Sequence, residues 1–437
     1  MSPAHVLKAS AACGPILGWR QASSAPFGFH PPTRPQERCL VRYEGDAHLL
    51  SVAPTGSGKG RDQIIPTLLT YPGPIMVIDP KGESVQICAR RRRQMGQRVA
   101  VLDPFRLVTE QGDSLNPFDI FDLENGDPES DAEMLASQLS TGHHTTSDPF
   151  WSDSASGLIS GLIAHVASST EPEGRTLTAV RSLLYDDDTD YKLAALLDSR
   201  AVKSPLARDE IAAYLKHASE RTRPSVLSTA VTYLKALGSQ SVARSLERST
   251  ISLRDVVEGK PLSVFLVIPP EKLESHRALL RVWVATLLTA ITRRKHIPSQ
   301  RTLIILDETA QLGTLPLLRQ AVTLLRGYGA QIWTFWQDLS QLKQLYPQDW
   351  PSIINNAAVL QAFGFANFGM AGQWGEMLGM DGHDLLRLGE HEAALFIRGE
   401  GSSTITRLNY LRDPEFVGLF DPNPRYLPEA RRAIAGH

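Results

Sequence analysis

Between Leu49 and Leu69 an apolar strand, a glycine-rich octapeptide and a helix-like run follow one another, and no other feature of the chain constrains its fold as strongly. The octapeptide is Ala53-Pro54-Thr55-Gly56-Ser57-Gly58-Lys59-Gly60. Glycine lets the backbone curl so that successive N–H groups face an anion, and a helix starting there adds positive potential. A lysine at the end of such a loop reaches the outer phosphates of a nucleotide. Pro54, Thr55, Gly56, Ser57, Gly58, Lys59 and Gly60 are therefore read as a phosphate cradle. The alternative is a glycine-rich turn that merely joins strand to helix. The loop departs twice from G-x-x-x-x-G-K-[S/T]: Ala53 holds the first glycine position, and Gly60 replaces the hydroxyl residue that would touch Mg²⁺.

A second run, Leu303-Ile304-Ile305-Leu306-Asp307-Glu308, reads as a buried parallel strand that delivers two carboxylates at its C-terminal end, where open α/β sheets bind ligands. Asp307 is placed to hold Mg²⁺, directly or through water. Glu308 is placed to orient and deprotonate the water that attacks a γ-phosphate. Alone, such a run is a strand ending in solvated acids. Joined to the phosphate loop, it points to hydrolysis of Mg·ATP.

The chain has 437 residues, 42% hydrophobic and 21% charged, enough for two or three globular domains. Its formal net charge of -2 gives no bulk electrostatic argument for nucleic acid. Cys13, Cys39 and Cys88 lie far apart without disulfide or metal-ligand spacing and fit a reducing cytoplasm. No stretch approaches the ~18 apolar residues of a membrane-spanning helix, and none reads as a signal peptide.

Residues 1–40, rich in Pro, Gly, Ala and Ser, read as an extended lead-in. From 41 to 124 strands at 48–53, 75–79 and 98–102 alternate with helices at 60–69 and 82–95, which predicts a parallel α/β sheet. From 125 to 255 helical periodicity takes over, starting at Asp127-Pro128 and again at Asp148-Pro149, and reads as an all-α insertion. From 256 to 437 the alternation resumes, with strands at 263–268, 302–307, 331–336, 359–365 and 393–398 and helices at 275–294 and 314–326.

At this point the residues carry a resemblance. APTGSGKG at 53–60, IDPKGE at 78–83, LNPF at 115–118, DPFW at 148–151, LDETAQLG at 306–313 and QDLSQL at 337–342 make the chain similar to the cytoplasmic part of a TraG/VirD-type coupling protein of conjugation and type IV secretion. The resemblance spans nearly the whole chain. It implies a RecA-like P-loop NTPase domain with an all-α domain at one end, ATP and Mg²⁺ as cofactors, and a homo-oligomer of six subunits. Its implied partners are DNA, relaxase nucleoprotein or effector protein as cargo, with the ATPases and inner-membrane components of a type IV secretion channel. It also implies an N-terminal membrane anchor, which no stretch of this chain supplies. The expectation is therefore an anchorless variant or a shortened chain, soluble or peripherally attached at the cytoplasmic face of the bacterial inner membrane. Glycine at position 60 is common in such proteins.

Other residues acquire candidate roles. Asp79 and Lys81 either border the nucleotide crevice or, respectively, cap a turn and stay solvated. Gln337 ends a strand where its amide is placed to sense the γ-phosphate and hold the attacking water. Arg326, by similarity, is either an arginine finger for a neighbouring subunit's site or a surface group. The runs Arg90 to Arg93 and Arg293-Arg294-Lys295-His296 read as solvated helix faces rather than DNA grooves. His143-His144 lacks metal-site spacing. An ATP-hydrolysing translocase and a docking receptor that uses nucleotide only to assemble a ring both stay open. A cell-division or plasmid-partition DNA pump is disfavoured by the DPFW segment and the large helical insertion.

Overall fold

The computed structural model describes residues 14–21, 38–140, 149–218, 220–423 and 425. Among the described residues eleven strands form one sheet: β1 Ile16–Gln21, β2 Arg38–Arg42, β3 His48–Val52, β4 Ile75–Ile78, β5 Arg98–Leu102, β6 Leu262–Leu266, β7 Thr302–Leu306, β8 Ala330–Trp336, β9 Ala357–Ala362, β10 Glu392–Ile397 and β11 Gly401–Thr406. Their order across the sheet is β2-β1-β11-β10-β9-β3-β8-β7-β4-β6-β5. From β9 to β5 every pairing is parallel. The strands β3, β4, β6, β7, β8 and β9 are buried along their whole length, as expected where helices cover both faces. Their near-continuous aliphatic and aromatic runs made them readable in the sequence.

The other four strands run antiparallel and extend the sheet beyond β9. This corrects the reading of residues 1–40 as an extended lead-in where β1 and the start of β2 lie; residues 1–13 and 22–37 are outside the described residues. Ile16, Leu17 and Trp19 of β1 are buried, the Trp19 indole donates to Asp413 Oδ2 at 3.0 Å, and the Ile16 amide donates to Thr67 Oγ1 at 3.2 Å.

Among the described residues no strand lies between β5 and β6; that stretch is helical from Pro128–Ser140 to Leu253–Glu258. The helix Pro149–Ser169 is its spine. Gly161 brings it so close to the helix Pro205–Lys216 that an added Cβ would lie 2.7 Å from Glu210 Cβ. Asp148 and the His143-His144 pair lie outside the described residues. The helical stretch rests on Arg277–Thr292, the helix after β6. There the buried Trp283 indole donates to Leu115 O at 3.2 Å, Arg281 Nε donates to Gln138 O at 3.0 Å, and Arg293 forms a buried ion pair with Asp131. One hydrophobic core runs through both regions.

The arginine runs are solvated faces only in part. Arg92 is fully buried, donating to Ser263 Oγ at 2.9 Å, Gly73 O at 2.7 Å, Leu68 O at 3.3 Å and also to Tyr71 O. Burial pushes its guanidinium down to about 10, still cationic at neutral pH. Arg294, also buried, ties Val256 O, Gly329 O and Thr302 Oγ1 together. A guanidinium carries five donors in a rigid fork, so one buried arginine satisfies several carbonyls that end helices and loops. Arg93, by contrast, is exposed, and Arg90 pairs with Asp421 at 2.7 Å.

Candidate nucleotide site

Four neighbouring strands, β3, β8, β7 and β4, end on one side of the sheet, and each delivers a candidate residue there. They supply Lys59, Gln337, the Asp307-Glu308 pair and Asp79 respectively. The strand β8 stands between the phosphate-loop strand and the acidic strand, so residues distant in sequence meet across it. Lys59 Nζ lies 3.3 Å from Glu308 Oε1 and 4.0 Å from Asp307 Oδ1. Gln337 Nε2 donates to the other Glu308 oxygen, Oε2, at 2.9 Å.

The phosphate loop is curled by Gly56 (φ +79) and Gly58 (φ +96), conformations that L side chains rarely adopt. Pro54 is half-buried, its carbonyl accepting from Ser57 Oγ at 2.6 Å, while Thr55 and Gly56 are exposed at the loop tip. Lys59 leads into a π-helical turn, Gly60–Ile64, that continues as the α-helix Ile65–Thr70. Glu308 is one of four non-glycine residues at positive φ (+54) among the described residues. That conformation costs of order 1 kcal/mol and turns the chain sharply at the end of β7. Asp307 Oδ1 accepts the Glu308 amide at 3.0 Å, and Thr309 Oγ1 donates to Leu306 O at 2.8 Å, which fixes the turn.

Burial pushes the Asp307 carboxyl up to about 6; the Lys59 charge opposes this, Glu308 adds to it, and Lys81 opposes it more weakly. Lys81 itself is exposed. Asp79 lies deeper. Its Oδ2 accepts the Val85 amide at 2.9 Å and its backbone carbonyl accepts from Gly82, so it caps the helix Glu83–Gln94 beside the crevice. Burial pushes it up to about 7, with Asp307 and Glu83 adding to the rise.

That shift predicts a pH dependence. Unfolded, the Asp79 carboxyl titrates near 3.8, and folded near 7. Between these values the folded chain holds the extra proton, so stability declines as pH rises, by up to ~1.4 kcal/mol per pH unit. Asp79→Asn keeps an acceptor for Val85 and lessens the decline, most visibly between about pH 6 and 7, above the value to which Asp307 is raised, as read from urea midpoints taken across that window. An unaltered slope assigns the titration elsewhere.

Arg326 is not brought to this chain's site. It precedes β8, at the opposite end of a seven-residue strand and so roughly 20 Å away. There its exposed guanidinium pairs with Asp46 at 2.8 Å.

The residues fit Mg²⁺ carried by a nucleotide. Mg²⁺ takes one or two protein carboxylates and completes its shell with phosphate oxygens and water, and Asp307 is a carboxylate placed for this. Beside Gly60 an added Cβ would meet nothing within 4 Å, which leaves room for water where a hydroxyl would otherwise reach. Among the described residues no group of three or more His, Cys, Asp or Glu side chains could hold a metal by itself.

Residues sequence reasoning did not find are those supporting the loop from below. Arg407, following β11, donates to Ser57 O and pairs with buried Asp62, and Gly364 (φ +74) would place a Cβ 3.1 Å from Pro54 Cδ. No local pattern marks either residue.

Residues 28–381 match the family model described as Type IV secretory system Conjugative DNA transfer. The chain belongs to this family. Within it, the chain is 30% identical over 313 residues to Conjugal transfer protein TraG of Rhizobium radiobacter, covering 70% of this chain and 48% of that protein. It is also 30% identical over 312 residues to the type IV secretion system-coupling protein VirD4 of Bartonella quintana, covering 68% and 47%. It thus spans about half the length of the curated relatives it matches. Among solved structures, the plasmid coupling protein TrwB in complex with ADP and Mg²⁺ superposes with a TM-score of 0.64 at 17% identity, over 85% of this chain and 88% of that one. VirB4 of Thermoanaerobacter pseudethanolicus superposes at 0.58 and 12% identity, over 92% and 98%. The family's RecA-like α/β fold is the fold of this chain. Among the described residues no helix is long and apolar enough to cross a membrane.

Proposed function

We propose that the chain is an ATP-hydrolysing motor that couples DNA, or a nucleoprotein carrying it, to a type IV secretion channel. One observation carries the reading: Lys59 and Gln337 each sit within hydrogen-bond reach of Glu308, with Asp307 alongside, at adjoining strand ends of a conjugative DNA-transfer family member. TrwB, its structural neighbour, was solved with ADP and Mg²⁺ and with a non-hydrolysable ATP analogue, which supports Mg·ATP as the nucleotide.

Each group has a task. Pro54, Thr55, Gly56, Ser57, Gly58 and Gly60 line the cradle, and Lys59 moves from the two carboxylates to the phosphates. Freed from the lysine, Glu308 takes a proton from the attacking water while Gln337 holds both. Mg²⁺, held by Asp307 and the phosphates, would neutralise charge developing on the transferred group. Asp79 and Lys81 border the crevice and tune Asp307. Arg326, remote from its own site, serves a neighbouring subunit in a ring, six being the expected number. Relaxase or effector cargo docks on the helical region. Association with the cytoplasmic face of the inner membrane follows from the channel components.

The test is ATP turnover by the purified chain with and without single- or double-stranded DNA, together with its mass in solution with nucleotide. Turnover rises with DNA at low salt and the stimulation fades as salt is raised, because phosphate contacts release counterions. Absence of DNA stimulation at low salt would turn the reading towards a protein cargo, and absence of turnover would remove the motor. In the same assay Lys59→Ala weakens ATP binding by about 10- to 100-fold, the range set by a charge-assisted hydrogen bond of ~1.5–3 kcal/mol.

A further inference from the structure

Beneath the phosphate loop lies a buried ion pair built from opposite ends of the chain. Arg407, 8% exposed, follows β11, and Asp62, 1% exposed, lies in the first turn after the loop. Arg407 Nη2 donates both to the Asp62 carboxylate and to the Ser57 carbonyl inside the loop. Its Nη1 donates to Glu390 O at 2.8 Å, and the guanidinium lies 4.1 Å over the Phe363 ring. The loop rests directly on this pair. A Cβ at Gly58 would lie 2.7 Å from Arg407 Nη2 and 2.9 Å from Asp62 Oδ2, so packing as well as φ requires glycine there.

Two physical effects follow. Asp62, which Arg61 Nε also contacts at 2.5 Å, anchors the Arg407 guanidinium so that its fork stays in place under the loop. Holding the Ser57 carbonyl on the underside keeps the neighbouring N–H groups directed to the other side, where phosphate would sit. Arg407 does not reach the reacting atoms.

We propose that Arg407 is a positioning residue that sets nucleotide affinity through Ser57 and Asp62; the inference rests on the nucleotide-site reading above. The experiment measures binding of ATP and ADP, and turnover at saturating ATP, for the parent, Arg407→Lys, Asp62→Asn and the double variant, with melting curves for each. Arg407→Lys keeps the charge but loses the fork, and Asp62→Asn keeps the shape but loses the charge. Each raises the Kd about 10-fold, the double variant adds little to either, and kcat stays within about 3-fold. Folded single variants that bind within about 2-fold of the parent overturn the proposal, as does a loss confined to kcat. If one single variant fails to fold, the other decides. A parent that binds no nucleotide overturns the nucleotide-site reading itself, an outcome separable from equal binding by parent and variants.

Discussion

Glu308→Gln lowers ATP turnover by about 10²- to 10⁴-fold, the span attributed to general-base catalysis, and at the same time tightens ATP binding. The first effect removes the group placed to accept the water's proton. The second comes from the ion pair at the site, in which Lys59 is occupied by Glu308 Oε1 at 3.3 Å and must leave it to reach phosphate. An amide does not hold the ammonium as a carboxylate does, so the lysine is freed in advance and the affinity rises several-fold. Gln337 loses the charge on its acceptor but keeps an oxygen to bond. Steady-state turnover and direct titration with ATP separate the two effects. Turnover within about 3-fold of the parent would remove Glu308 as the base, and a weakened ATP affinity would remove the Lys59 contact as a latch.

Arg92→Met destabilises the fold by roughly 3–5 kcal/mol without touching the nucleotide site. The substitution leaves Leu68 O, Tyr71 O, Gly73 O and Ser263 Oγ without their shared donor in a fully buried position. Each stranded acceptor costs about 1–3 kcal/mol, reduced where the site relaxes or admits water. Arg92→Lys retains charge but cannot span the set, and recovers only part of the loss. Arg93→Met, one residue along on the exposed face, changes stability by no more than about 0.5 kcal/mol. Urea midpoints for the three variants decide the matter, and equal midpoints for Arg92→Met and Arg93→Met would refute the buried network.

These examples also mark where sequence reading stops. The parallel strands could be read because a strand buried on both faces must be apolar along its length, and the octapeptide because positive φ at Gly56 and Gly58 demands glycine locally. The antiparallel extension could not. The strand Gly401–Thr406 is mostly Ser, Thr and Gly, with one buried aliphatic side chain, Ile405, and it holds its place through its neighbours. The four arginines at 90–93 look alike in sequence, yet burial separates Arg92 from Arg93, and only the packing of Tyr71, Gly73 and Ser263 around that helix determines which one turns inward. At the site, Lys59, Asp307, Glu308 and Gln337 carried signals of their own. That Gln337 touches Glu308 depends on strand order, with β8 standing between β3 and β7, and strand order is written in no local pattern.

Strand order also bears on how this protein can be cut. Among the described residues the first strand in sequence, β1, is interior in space, flanked by β2 and β11 and bonded to Thr67 on the helix that leaves the phosphate loop. A shortened version beginning at Arg38 would therefore open a gap within the sheet, orphan its outermost ribbon and unprop the nucleotide helix, although the deletion ends well before the first glycine of the loop.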